Sequence, residues 1–75
     1  MPAIKPIHYG KLTKVFEKVG WRYQRTRGDH MIFTKKDFLR PIVIPKYKTI
    51  PVFIIKNNLR TAKISNAEYF KLLGV

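Results

Sequence analysis

Hydrophobic and polar positions change period several times along the chain. Leu12, Val15, Phe16 and Val19 fall at i, i+3, i+4 and i+7, which draws one apolar stripe down a helix that starts near His8. Lys11, Lys14, Glu17 and Lys18 lie off that stripe. Gly20 follows the last apolar residue, where a left-handed C-terminal cap sits. Alternation then replaces the helical period. Trp21 and Tyr23 point one way and Arg22 and Gln24 the other, which predicts a strand over 21–26. Arg27-Gly28-Asp29 reads as a turn, with Gly28 free to take a positive φ. A second strand follows over His30–Thr34, with His30 and Ile32 on one face and Met31 and Phe33 on the other. Lys35-Lys36-Asp37 is a second turn. A third strand is expected over 39–44, and Pro41, which lacks an N–H, implies that it lies at a sheet edge or is paired on one side there.

Residues 45–51 read as a loop carrying Lys46, Tyr47 and Lys48. Val52, Ile55, Leu59 and Ala62 then resume the helical stripe, with Thr49 expected to cap that helix and Pro51 suited to its first turn. Ser65-Asn66-Ala67-Glu68 has the Ser-to-Glu spacing of a capping box and opens a last short helix carrying Tyr69, Phe70, Leu72 and Leu73. Residues 1–7, punctuated by Pro2 and Pro6, form a short arm. The order α-β-β-β-α(-α) requires the helices to cover one face of an antiparallel sheet, so the expected class is an α+β two-layer sandwich, one domain spanning 1–75.

Composition narrows the function. A 75-residue chain has room for one thin core. It has no cysteine, so disulfides, iron–sulfur clusters and thiolate zinc sites are excluded. No apolar run approaches the roughly 20 residues of a membrane span, and the N-terminus lacks the apolar core of a signal peptide. The expectation is a soluble cytoplasmic protein. Sixteen Lys and Arg against four Asp and Glu give a net charge of +12, above the roughly 2–8 that suffices for solubility. That excess repels itself and points to a polyanionic partner. Nucleic acid fits better than an anionic membrane surface, because no basic helix carries the exposed apolar face that membrane binding needs.

The candidate chemistry is sparse. Histidine is the default proton-transfer group near neutral pH, and there are two, His8 and His30. His8 reads as a helix-start residue. His30 opens a strand directly after a Gly turn, among Arg25, Arg27, Lys35 and Lys36. There it suits phosphodiester chemistry: it can take the proton of a ribose 2′-OH or give one to the leaving oxygen, while cations stabilise the phosphorane. The plainer reading is a surface histidine in a hairpin. Four scattered acids and two histidines supply no metal-ligand pair, and no phosphate-binding Gly-rich loop occurs, so neither a metal nor a nucleotide cofactor is expected. The basic residues form three groups: Lys11, Lys14 and Lys18 on the first helix; Arg22, Arg25 and Arg27 in the first hairpin; Lys46 and Lys48 in the loop before the second long helix. Converged, they would suit shape-based recognition of double-stranded RNA; unconverged, they are a solvated basic surface. Tyr9, Phe38 and Tyr47 can stack on unpaired bases or pad the core.

The segments Val19-Gly20-Trp21, Arg27-Gly28-Asp29-His30-Met31-Ile32-Phe33, Val43-Ile44-Pro45, Asn58-Leu59-Arg60 and Ala62-Lys63-Ile64-Ser65, set in this order of elements, resemble the HicA (YcfA-like) toxins. The resemblance runs from about His8 to Leu73. It implies a double-stranded-RNA-binding-domain-like fold and an mRNA interferase of a type II toxin–antitoxin system, held inactive by a HicB-type antitoxin. It also implies that His30, in the Gly28-x-His30 motif, is the catalytic residue of a metal-independent endoribonuclease. The residues expected to bind RNA are Lys11, Lys14, Arg25, Arg27, Gly28, Lys35, Lys46, Tyr47 and Lys48. The alternative on the same charge and fold is a non-catalytic RNA-binding module. The chain departs from many family members twice, with Asp29 where they have Ser and Tyr47 where they have His. An acid at position 29 either orients His30 or repels substrate phosphate.

Overall fold

The computed structural model describes residues 3–74; Met1 and Pro2, the start of the expected arm, and Val75 lie outside them. The elements are α1 (Tyr9–Lys18), β1 (Arg22–Arg27), β2 (His30–Thr34), β3 (Ile42–Pro45), α2 (Val52–Ala62) and α3 (Asn66–Leu73). The strands form one antiparallel sheet in the order β1-β2-β3. Helices α1 and α2 pack over one face of it and α3 packs on α1. This is the α+β two-layer order expected from the pattern, and it is consistent with a double-stranded-RNA-binding-domain-like fold.

The apolar stripe of α1 buries Leu12, Val15 and Phe16. At the start of the helix, His8 Nδ1 accepts from the Gly10 N–H at 3.0 Å, satisfying one of the donors a helix N-terminus leaves open. Val19 ends the helix and Gly20 follows with φ 95°. Phe33 of β2 and Ile42 and Ile44 of β3 meet Leu12, Phe16, Ile55 and Leu59 in the core. Asn58, itself buried, donates to the carbonyl of Val43 at 3.0 Å and so ties α2 to the edge strand β3.

The sheet departs from the sequence expectations in three places. Trp21 precedes β1 rather than opening it, and is buried against Phe16 and Phe38. Tyr23 pairs with Phe33 and Arg25 with Ile32, so Gln24 is an extra residue that bulges the strand. The strict alternation of 21–26 is therefore broken, and Tyr23 stays half exposed at the sheet edge. The third strand begins at Ile42 instead of residue 39: Leu39 is fully exposed, Leu39 and Arg40 form a bend, and pairing starts only after Pro41. Before that bend, Phe38 N–H donates to Lys35 O and Asp37 takes φ 72°, a turn position that normally favours Gly or Asn.

Two further details differ. Pro51, not Thr49, is the cap residue of α2, and no side chain caps it. The segment before α1 is not a free arm where it is described. Ile50 N–H donates to Ile7 O at 2.7 Å in an isolated antiparallel bridge, and Ile4 and Ile7 pack against the core. Ser65 caps α3 as its spacing predicted, accepting from the Glu68 N–H at 3.1 Å. The Tyr69 hydroxyl is buried with no hydrogen-bond partner, and burial pushes its phenol pKa up from the ordinary value. No helix among the described residues is long and apolar enough to cross a membrane.

Candidate functional site

The hairpin between β1 and β2 builds the site. Its loop is two residues, Gly28 and Asp29, with positive φ (60°) at Gly28 alone. That is the pattern of a II′ turn, which takes Gly first and matches the twist of the flanking strands. A Cβ at position 28 would meet nothing within 4 Å, so backbone conformation rather than crowding selects glycine there. Arg27 pairs with His30 and His30 with Pro45. The ladder continues one step further, because Lys46 N–H donates to Asp29 O at 2.7 Å. His30 is thus held on both sides by the ladder and Asp29 on one, at the end of the sheet.

His30 and Asp29 make the one close contact between an acidic and a basic side chain among the described residues, Nδ1 to Oδ1 at 2.9 Å. Both side chains are exposed, His30 by 47%. Because Nδ1 is engaged, Nε2 is the nitrogen left for an outside partner. His30 lines an open depression with Arg27, Gly28, Ile32 and Val43. Ile32 shares the face of His30, and the register sets Val43 opposite Ile32, so the depression has an apolar floor and a cationic rim. Arg25 pairs with Ile32 from the other side. This face of the sheet lies opposite the core side chains Phe33, Ile42 and Ile44.

The loop after β3 joins the site. The rings of Tyr47 and His30 stand edge to face with centroids 6.4 Å apart. Tyr47 O accepts from the Tyr9 N–H at 3.2 Å, which anchors the loop to the first turn of α1. Lys46 and Lys48 are exposed in the same loop.

Not all the expected RNA-binding residues gather here. Arg25, Arg27, Gly28, Lys46 and Tyr47 do, with Lys48 close by in the chain. Lys35 follows the other end of β2, five residues and about 17 Å of strand from His30, and its ammonium lies over the Phe38 ring at 5.4 Å. Lys11 and Lys14 line an apolar groove between α1 and α3, with Ile7, Val15, Leu72 and Leu73. Lys18, in the same groove, donates to Leu72 O at 2.6 Å. Arg25 and Arg27 of the hairpin group therefore converge with the loop group, while Arg22, paired with Thr34 at the far end of β2, and the helix group lie elsewhere. The apolar floor was the part sequence reasoning missed. Ile32 was on the right face by its period, but its partner Val43 follows only from the register.

Sixteen Lys and Arg have no carboxylate within ion-pair distance among the described residues. The positive charge is thus left facing outward, available to a partner. Among the described residues no three His, Cys, Asp or Glu come together as a metal site would require.

No curated protein matches the chain. The family model described as the HicA toxin of bacterial toxin–antitoxin systems matches residues 9–64, from the start of α1 to just past α2. That span covers well over half of the sequence and contains the hairpin, His30 and the Tyr47 loop. The chain belongs to the HicA toxin family, and so to a toxin–antitoxin system in which an antitoxin is its partner.

Proposed function

We propose that the protein is a cytoplasmic endoribonuclease toxin that cuts mRNA with His30 as its proton-transfer group. The observation that carries this reading is His30 lining an open depression beside Arg27 with its Nδ1 engaged by Asp29, which leaves Nε2 for a substrate, on a chain of charge +12. The floor of Ile32 and Val43 suits a ribose or a base face. Arg25, Arg27 and Lys46 suit the phosphates on either side.

The reaction needs little machinery. His30 Nε2 takes the proton of a ribose 2′-OH, and the freed oxygen attacks the adjacent phosphorus. The O2′–P bond forms and the P–O5′ bond breaks. Arg27, with Arg25 or Lys46, neutralises the charge that builds on the phosphorane. The leaving O5′ takes the proton back from Nε2. The products are a 2′,3′-cyclic phosphate and a 5′-hydroxyl, and no metal enters the scheme. Tyr47 occupies the place where many family members have His. Its ring is well placed to stack on a base next to the scissile bond.

The test is RNA cleavage by the purified chain in EDTA, wild type against His30→Ala, with the ends of the products identified. Cyclic phosphate ends from the wild type and no cleavage by the variant are the expected results. A 5′-phosphate product would sink the mechanism. Tight RNA binding by both proteins with no cleavage would instead make this a binding module.

The antitoxin is a HicB-type chain in this reading. Charge complementarity calls for an acidic surface covering His30 and the Arg27 rim. Because it binds only the folded toxin, it also raises the toxin's apparent stability. Cleavage unaffected by a saturating antitoxin would contradict a cover over His30.

A further inference from the structure

We propose that Asp29 is a positioning residue, whose carboxylate holds His30 in the tautomer with the proton on Nδ1 and so turns Nε2 into the proton acceptor. This rests on the reading of His30 as the group that moves the proton, and it assigns that reading a second side chain.

The two residues are fixed where their side chains must meet. Gly28, at φ 60°, sets the turn. Asp29 is pinned by its carbonyl to the Lys46 N–H at 2.7 Å. His30 is paired on both sides, with Arg27 and Pro45. Only side-chain torsions remain free, and they close on a 2.9 Å contact between Nδ1 and Oδ1. A carboxylate only accepts, so the proton in that contact belongs to Nδ1.

The consequence for the reaction is direct. A neutral imidazole has one proton and one lone pair, and the hydrogen bond made by one nitrogen decides what the other can do. Left to itself, a neutral imidazole favours the proton on Nε2, and in that form Nε2 cannot take a proton from the 2′-OH. Asp29 reverses the preference. Once Nε2 has taken the ribose proton, the imidazolium also lies against a carboxylate, which stabilises it. The cost is a negative charge close to substrate phosphate. Arg27 and Lys46 flank the pair along the backbone ladder, and the 61% exposure of Asp29 lets solvent and salt screen its charge.

His8 is an internal control. Its Nδ1 accepts from the Gly10 N–H, so its proton sits on Nε2, the opposite of His30. Nitrogen NMR of the full chain labelled with 15N-histidine, at a pH where both rings are neutral, reads the two tautomers side by side. Wild-type His30 is expected to show a protonated Nδ1 and an unprotonated Nε2, and His8 the reverse. In Asp29→Ala the His30 pattern should swap while His8 stays. Cleavage by Asp29→Ala should fall about 10–100-fold in kcat, the usual range for a supporting partner, with KM little changed. Asp29→Asn, which keeps the shape and loses the charge, should fall between the two.

A wild-type His30 carrying its proton on Nε2 would overturn the proposal. So would an Asp29→Ala variant with the swapped tautomer that cuts RNA at the wild-type rate. A wild type that cuts no RNA would defeat the nuclease reading, and the nitrogen shifts would still decide whether Asp29 sets the tautomer.

Discussion

The two histidines of this chain occupy opposite layers and carry their protons on opposite nitrogens. His8 sits at the start of α1, stacked on Tyr9 with ring centroids 4.5 Å apart, and uses Nδ1 to accept from the helix backbone. His30 sits at the end of the sheet, donates from Nδ1 to Asp29, keeps Nε2 unpaired, and lines an open depression. Residue type is the same and the local company differs: a helix N-terminus with unpaired N–H groups in one case, a hairpin acid in the other. A histidine whose accepting nitrogen is already used by the backbone is a structural part. One whose free nitrogen faces a cationic, uncovered surface is equipped for chemistry.

The largest expected effect breaks the comparison at its functional end. His30→Ala should lower RNA cleavage by at least the 10²–10⁴-fold typical of a lost general acid–base, with a thermal midpoint close to the wild type because the side chain is exposed. His8→Ala should cut RNA at nearly the wild-type rate. Comparable losses in both variants would show that the two rings are not separated in role.

A smaller effect concerns the turn that presents His30. Gly28→Ala clashes with nothing but must hold φ 60°, which costs a residue with a Cβ about 1–2 kcal/mol. Chemical denaturation should register that loss. Cleavage by the folded fraction should fall as well, because the turn fixes Asp29 and His30 together.

At the structural end, His8→Ala removes a cap and should cost about 1 kcal/mol. His8→Asn, which supplies a capping oxygen, should recover most of it. A His8→Asn variant as unstable as His8→Ala would mean that the ring's stacking on Tyr9, rather than its Nδ1, secures the start of α1.

The sequence disclosed the periodic parts of this contrast and little of the rest. The α1 stripe, the Gly20 terminus, the second strand and the Ser65 cap follow from local spacing, and the structure keeps them. The edges of the sheet were less legible. Nothing in 21–26 announces the bulge at Gln24, because an extra residue preserves composition while shifting every partner. Pro41 correctly marked an edge strand, but pairing waits for Ile42, since Leu39 and Arg40 bend away first. Site membership depended on pairing across the sheet. Lys35 is only five residues from His30 and sits at the other end of β2. Tyr47 is far along the chain and lies beside His30, because Lys46 extends the β2–β3 ladder to Asp29. Whether Asp29 helps or hinders His30 is open in the sequence, because side-chain torsions decide whether neighbours in a chain meet; here they close to 2.9 Å.

The smallest effect sharpens the comparison for the surface around each histidine. Arg27 lines the depression beside His30, whereas Lys18, in the α1–α3 groove, is spent on the carbonyl of Leu72. If the open sheet face carries the RNA, Arg27→Ala should remove about one phosphate contact. The slope of log affinity against log salt should then fall by about 0.7 on single-stranded RNA, with a loss of only a few-fold in affinity at moderate salt. Lys18→Ala should leave that slope unchanged and instead loosen the end of α3. Two binding titrations across a range of salt, one per variant, read both outcomes. A slope that falls for Lys18→Ala and not for Arg27→Ala would move the RNA path from the sheet to the helices, and with it the reason for placing chemistry at His30. Equal small decreases would describe a diffuse cationic surface, on which His30 lies without a defined substrate track.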